Sequence, residues 1–278
     1  MPPHPHSANN ETSVSRYADD AANRLYQRVW GGRIHFGLWL SDNDTMATAA
    51  ARVPMTLARD AGVCVTDNVV EVGSGAARTA IDLARTFGCR IVATNHSPAH
   101  KQLADRAIAE AGFDHLISSA TADAEQMPFD DGRFSVYWAQ EVLVHLGDKA
   151  AGFSEAHRVL SRCGRIVFTE QTSRPGRMTT GERSRVAARH GSDDLWDRGD
   201  FVEAMEAAGF GRTRTADWST HLAVHFAALC RRIDDNRAEL ERDCGTALVA
   251  RQLDNWRFAQ ALAREGKIGW HLFIGHKS

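Results

Sequence analysis

Three groups of residues in this chain could do chemistry by their types and spacing. The first is "VVEVGSGAART", Val69 to Thr79, where a short apolar run meets Glu71 and then Gly73 and Gly75 at alternate positions. Glycines at such a turn let backbone approach a ligand closely, and a carboxylate ahead of them suits a ligand with an ammonium group. The second group is "QEVLVH", with Gln140, Glu141 and His145. Glu141 and His145 are four apart and share a face if a helical turn forms there. His145 is the best general-base candidate, since an imidazole titrates near ~6.5 when unperturbed. Glu141 would orient it or hold a substrate N–H; a purely structural hydrogen-bonded pair is the alternative. The third group is His221 and His225, an H-x-x-x-H pair. That spacing can bind a metal. No nearby carboxylate or cysteine supports it, so no metal is expected and both are read as lining a substrate pocket. Trp196 and Trp218 would add aromatic faces, suited to a cationic amine or a flat ring. Arg198 is a candidate clamp for a substrate carboxylate, against the default of a solvated arginine.

These residues need elements to position them. "NVVEV" (Asn68–Val72) reads as a buried strand, and "ARTAIDLARTFG" as a helix stopped by Gly88. "RIVAT" is a second strand; Ser97 and Pro98 then start a helix that ends at Gly112. His115–Ala122, Phe134–Gln140 and Gly164–Glu170 read as three more strands, with the amphipathic "GFSEAHRVLSR" before the last. Units this short, alternating strand and helix, make a parallel α/β sheet with right-handed crossovers. Residues 1–11 read as a disordered tail and 12–61 as an N-terminal helical cap. Residues 62–175 read as the α/β core, and 176–278 as a substrate lid with the closing strands of the same domain. In that last part, "DLWDRGDFVEAMEAAGF" contains a helix, "HLAVHFAALCRRI" is another, and Lys267–Lys277 is a closing strand.

Composition removes several classes of function. The chain has 278 residues, 43% hydrophobic and 24% charged, with a net charge of −2. A near-neutral surface argues against nucleic-acid binding, which needs basic charge. No apolar run reaches the ~20 residues of a membrane span, and no leader-like segment opens the chain. Five scattered cysteines without a C-x-x-C pair read as reduced cytoplasmic thiols. The expected partner is a small molecule, with no nucleic acid or membrane; a homo-oligomer is left open. A dinucleotide site is also disfavoured. Its pattern wants a third glycine where Arg78 stands and an acid where "ATNHSPAH" offers Asn95 and His96.

With that alternative set aside, "VVEVGSGAART" resembles the first motif of the class I S-adenosylmethionine-dependent methyltransferases. "ATADAEQMPFDDGRFSVYWAQEVLVH" and "AHRVLSRCGRIVFTE" resemble their later motifs, in the right order, over about Asn68 to Glu170. The resemblance implies that residues 62–175 are a cofactor-binding Rossmann-like core, in a mostly parallel seven-stranded sheet with helices on both faces, and that S-adenosylmethionine is the cofactor. It implies that Gly73, Ser74 and Gly75 approach the cofactor's methionine part, with Glu71 ordering the turn. Asn95 would face the ribose, His96 the adenine, and Asp123 with the backbone of Ala124 the adenine edge. Gln140 would stand at the methyl-transfer centre. Ser135 takes the place of the family's usual aspartate.

"RLYQRVWGGRIHFGLW" is similar to the N-terminal segment of sarcosine and dimethylglycine methyltransferases, and more loosely to that of sterol and tocopherol methyltransferases. It implies that Tyr17, Trp30 and Gly31 close over the cofactor and that His35 faces the substrate. The function so implied is methyl transfer to the nitrogen of a small amine or amino-acid-like acceptor. The alternatives are methylation of an indole or prenyl carbon, and a non-catalytic cofactor-binding protein.

Overall fold

The computed structural model describes residues 20–193 and 195–278. In chain order the elements begin with α1 (Asp20–Trp30) and α2 (Met46–Asp60). The sheet then starts with β1 (Asn68–Val72), α3 (Arg78–Phe87), β2 (Arg90–Asn95), α4 (Pro98–Ala111) and β3 (Ile117–Thr121). It continues with β4 (Phe134–Gln140), α5 (Lys149–Val159) and β5 (Leu160–Ser173). The remainder is α6 (Thr180–His190), α7 (Arg198–Ala207), β6 (Phe210–Asp217), α8 (Ser219–Asp235), α9 (Arg237–Cys244), α10 (Thr246–Arg264) and β7 (Ile268–Lys277).

The seven strands form one sheet in the order β3-β2-β1-β4-β5-β7-β6. β1 pairs in parallel with β2 and β4, and the pairs β2–β3 and β4–β5 are parallel too. The chain therefore steps one way from β1 to β3 and the other way from β4 to β5. Right-handed crossovers then put α3 and α4 on one face and α5 on the other. The order reverses between β1 and β4, and ligands of such sheets bind beyond the strand ends at that point.

The chain divides into two compact units. One holds Pro54–Glu170, Arg198–Ala216 and His271–Ser278, and it carries most of the sheet. Its core is aromatic. Phe168 and Phe273 stack with centroids 4.6 Å apart, and Phe153 and Phe201 close around Phe168. Fully burying each such ring is worth about 1.5–3 kcal/mol. The other unit holds the described residues up to Val53 with Gln171–Asp197 and Asp217–Trp270, and is mainly helical. In it α8 and α10 pack together, and α9 packs on α1 and α10.

Two local readings need correction. No α-helical turn forms at Glu141–His145. A 3₁₀ turn covers Leu143–His145, while Glu141 sits before it in the left-handed region at φ 53°. The four-residue spacing therefore does not put the two side chains on one helical face. The fifth strand is also longer than Gly164–Glu170, running from Leu160 to Ser173 with an irregular register opposite Phe134–Val136.

The unusual Ser135 has a clear role. Its hydroxyl donates to Asp67 at 2.7 Å and accepts from the Asn68 N–H at 3.0 Å. Arg165 donates to both oxygens of Asp67, at 3.2 and 2.7 Å. A buried acid thus stands at position 67, paired with arginine at the start of β1.

Candidate functional site

The turn after β1 is braced from β2. The Ser74 N–H donates to the Thr94 carbonyl at 2.9 Å, and the Thr94 hydroxyl donates to the Glu71 carbonyl at 2.9 Å. The Asn95 side-chain oxygen accepts from the Gly75 N–H at 2.9 Å. Its amide nitrogen donates to Ser74 Oγ at 2.9 Å and to the Gly75 carbonyl at 3.1 Å. Asn95 is only 3% exposed. The structure thus turns its amide onto the glycine turn, where a ribose contact was expected of it. Glu71 is buried as well, directly before the turn.

The glycines are required for two different reasons. At Gly73, φ is +68° and a Cβ would lie 2.5 Å from Val142 Cγ2. At Gly75, φ is +54° and no atom lies within 4 Å of a Cβ position. Gly75 therefore borders open space where a ligand can meet backbone. α3 follows, starting after Ala77, which is itself left-handed and provides no side-chain cap. The first N–H groups of α3 are therefore not capped by a side chain.

Gln140 ends β4 beside this turn, since Val72 of β1 pairs with Ala139. Its Oε1 accepts from Thr79 Oγ1 at 3.2 Å and from Trp138 Nε1 at 3.1 Å. An indole N–H can only donate, so the orientation of the amide is fixed. Nε2 is then buried with no hydrogen-bond partner in the protein. Next along the chain, the left-handed Glu141 gives its N–H to the Thr169 carbonyl at 3.0 Å. His145 is half-buried. Its turn is held by Glu170, whose carboxylate accepts from the Val144 N–H at 3.0 Å. Beyond β3, Asp123 accepts from the Glu125 N–H at 2.9 Å, Ala124 is buried and His96 is exposed. Sequence reading missed Thr79, Trp138 and Glu170. An indole two residues before Gln140 on the same strand is the one signal that could have found Trp138.

The helical unit gathers most of the expected substrate residues, with a correction. His225 is fully buried, packed against Trp30 with ring centroids 4.9 Å apart, Phe36 at 5.5 Å and Trp39 at 6.0 Å. Burial, with His35 nearby, pushes its pKa down to about 3, so the ring is neutral. It belongs to an aromatic core and does not line an open surface. Trp30 is likewise buried, also meeting Trp256 edge-on at 6.2 Å. Gly31 follows at φ 75° and ends α1. His35 Nδ1 lies 2.8 Å from the Phe36 carbonyl oxygen. His221 is half-buried, and its Nδ1 accepts from the Trp39 N–H at 3.2 Å. Trp218 packs on Trp270 at 5.1 Å, and the Trp196 carbonyl accepts from the Ser173 N–H at 2.7 Å. Arg198, in the sheet-bearing unit, is exposed and reaches Thr215 Oγ1 at 3.4 Å. Tyr17 lies outside the described residues. Among the described residues no group of three or more His, Cys, Asp or Glu is arranged for a metal, and no helix is long and apolar enough to cross a membrane.

Comparison with known proteins decides what the turn belongs to. A family model described as "Methyltransferase domain" matches residues 70–168, from β1 to β5. Residues 70–168 are a methyltransferase domain. Similarity extends beyond that domain in both directions. A sarcosine/dimethylglycine N-methyltransferase of Halorhodospira halochloris is 27% identical over 96% of this chain and 96% of its own. A glycine/sarcosine/dimethylglycine N-methyltransferase of Actinopolyspora halophila is 26% identical over 93% of this chain, which spans 46% of that longer protein. Among solved structures, a protein of Galdieria sulphuraria assigned as a sarcosine dimethylglycine methyltransferase superposes with a TM-score of 0.87. It is 24% identical and covers 94% of this chain and 98% of its own. The Haemonchus contortus phosphoethanolamine N-methyltransferase 2, solved with S-adenosylhomocysteine, superposes at 0.81 with 15% identity, over 97% of this chain and 60% of its own. These solved structures share the fold of this chain.

Proposed function

We infer that this protein is an S-adenosylmethionine-dependent methyltransferase acting on the nitrogen of a small amine or amino-acid-like acceptor. The observation that carries the reading is the pairing of the Gly75 turn, open at its Cβ position, with the unpartnered Gln140 amide at the sheet's reversal point. These fit the cofactor. A tight backbone turn suits its methionine part, and a fixed N–H₂ donor suits an oxygen of cofactor or acceptor. Gly73, Ser74, Gly75 and Glu71 would hold the methionine end, and Asp123, Ala124 and His96 the adenine end. When bound, S-adenosylmethionine supplies an electrophilic methyl group that leaves a sulfonium for a nucleophile.

The chain's own residues then have two tasks. The first is alignment, which supplies much of the rate in displacement reactions. Trp138 and Thr79 hold the Gln140 oxygen, so that its N–H₂ group is aimed without reorganisation. The second is proton removal, because an amine with a methyl to gain must present a lone pair. His145, half-buried on the turn that Glu170 clamps, is the base in this reading. Cytoplasmic operation fits the five cysteines, all free thiols. The full-length relatives named for sarcosine and dimethylglycine favour nitrogen over carbon as acceptor. A thermal-shift titration with S-adenosylmethionine and S-adenosylhomocysteine tests the cofactor. Stabilisation by both is expected, and no shift with either overturns the reading.

A further inference from the structure

The loop between β3 and β4 is held in two different ways. From Met127 onward it is tied to α5. The Met127 N–H donates to Glu155 Oε2 at 2.7 Å. Arg158 donates through Nε and Nη2 to Glu155 at 2.7 and 2.8 Å, and through Nη2 to the Met127 carbonyl at 3.0 Å. Its Nη1 donates to the Phe129 carbonyl and to Asp131, both at 2.7 Å. A guanidinium has five N–H groups, so the capacity of Arg158 is filled and this half of the loop is fixed. Residues 123–126 instead fold on themselves. Asp123 Oδ1 accepts from the Glu125 N–H at 2.9 Å, and the Asp123 carbonyl from the Gln126 N–H at 3.2 Å. They reach outward through Glu125, whose Oε1 accepts from the Gly147 N–H at 2.7 Å.

Gly147 lies two residues after His145. The 3₁₀ turn at Leu143–His145 is therefore pinned by a carboxylate at each end. Glu170, buried on β5, takes the Val144 N–H, and Glu125 takes the Gly147 N–H. The two anchors differ in kind. Glu170 belongs to a fixed strand, whereas Glu125 belongs to the segment of Asp123 and Ala124, the adenine end in the reading above. The Glu125–Gly147 bond is exposed, so water can replace either partner and the bond adds little stability. Its consequence is positional. A ligand that fixes residues 123–126 in one conformation also fixes where the Glu125 carboxylate holds Gly147.

We propose that Glu125 is a positioning residue that carries occupancy of the adenine end to the turn bearing His145. It acts through Gly147 and not on the reacting atoms. This rests on the methyl-transfer reading and adds a residue to its machinery. The test is NMR of the full chain labelled at histidine nitrogens, with the His145 ring signals assigned from His145→Ala. Wild type, Glu125→Ala and Glu125→Gln are compared with and without saturating S-adenosylhomocysteine, and calorimetry gives each affinity. In wild type the ligand should shift the His145 signals. Glu125→Ala should bind S-adenosylhomocysteine within about threefold of wild type, the scale of one exposed hydrogen bond, which also shows that it is folded. Its His145 shift should fall to about half of the wild-type shift or less. Glu125→Gln keeps an acceptor oxygen and should restore most of the shift. A wild-type shift in Glu125→Ala would overturn the proposal, as would equal losses in the two variants. Loss of S-adenosylhomocysteine binding in Glu125→Ala would overturn it too, because Glu125 would then serve binding itself. Wild-type protein that binds S-adenosylhomocysteine without moving His145 would remove this role and leave the methyl-transfer reading standing. Wild-type protein that does not bind it would remove both.

Discussion

Gly73 and Gly75 sit two residues apart under different constraints. Gly73→Ala combines a left-handed φ with a contact 2.5 Å from Val142, so a stability loss of about 2–4 kcal/mol is expected. Gly75→Ala meets no atom and should cost only about 1–2 kcal/mol from φ. Its methyl group would stand where a ligand approaches, so cofactor affinity should fall much further than stability. Chemical denaturation and calorimetry on both variants separate the two effects. His225 gives a pH dependence. Its folded pKa is held near 3 by burial and His35, well below the ~6.5 of an unfolded imidazole. Stability tied to the neutral ring is full above about pH 6.5 and is lost as pH falls toward the folded value. His225→Phe should therefore flatten the acid side of the melting-temperature profile between about pH 6 and 4; an unchanged profile would contradict the buried neutral ring. Asp67 acts with the same sign in a lower window. Burial alone would raise its pKa, but Arg165, Ser135 and the Cys64 N–H together hold it below the ordinary value. Glu71 and the glycines were legible in the sequence because their signal is local. The bonds from Thr79 to Gln140 and from Ser135 to Asp67 were not, because each joins residues more than 60 positions apart.

Elements were legible to the degree that their periodicity was apolar. β1, β2, β4 and the helices α3 and α4 carry buried faces and clear stops, and they lie where their patterns put them. β6 was missed. "FGRTRTAD" alternates half-buried with exposed residues at the sheet edge, so it offers arginine and threonine where a buried strand offers valine. α6 was also missed, although "TTGE" is a capping box: Thr179 accepts from the Glu182 N–H and Glu182 from the Thr179 N–H. Thr179→Ala should cost about 1 kcal/mol, read as a lower denaturation midpoint with an unchanged slope. The "QEVLVH" turn shows why spacing alone misled. Four residues imply one face only on an α-helix, and the left-handed Glu141 breaks that register. Trp138→Phe tests how the end of β4 is set. It removes the donor that fixes the Gln140 amide while keeping most of the ring. Turnover should fall with cofactor affinity nearly unchanged, whereas equal losses in both would indicate a general packing defect.

At the scale of the whole molecule, the sheet order and the match to a methyltransferase domain agree on one α/β core. The net charge of −2, with acidic and basic residues almost balanced, agrees with the small-molecule reading proposed above. The general fold was readable because strand–helix alternation is a pattern of the entire chain. The aromatic core around His225 was not, because it joins residues near position 30 to residues near position 225 through side-chain packing. The central claim is methyl transfer from S-adenosylmethionine to the nitrogen of a small acceptor. The most direct measurement is incubation of the full chain with methyl-labelled S-adenosylmethionine and a panel of sarcosine, dimethylglycine, simple amines, indoles and prenyl compounds, with the product's labelled position read by NMR. The account predicts label on nitrogen, with His145→Ala lowering the rate far more than cofactor affinity. Label only on carbon, or no label on any acceptor, would contradict it.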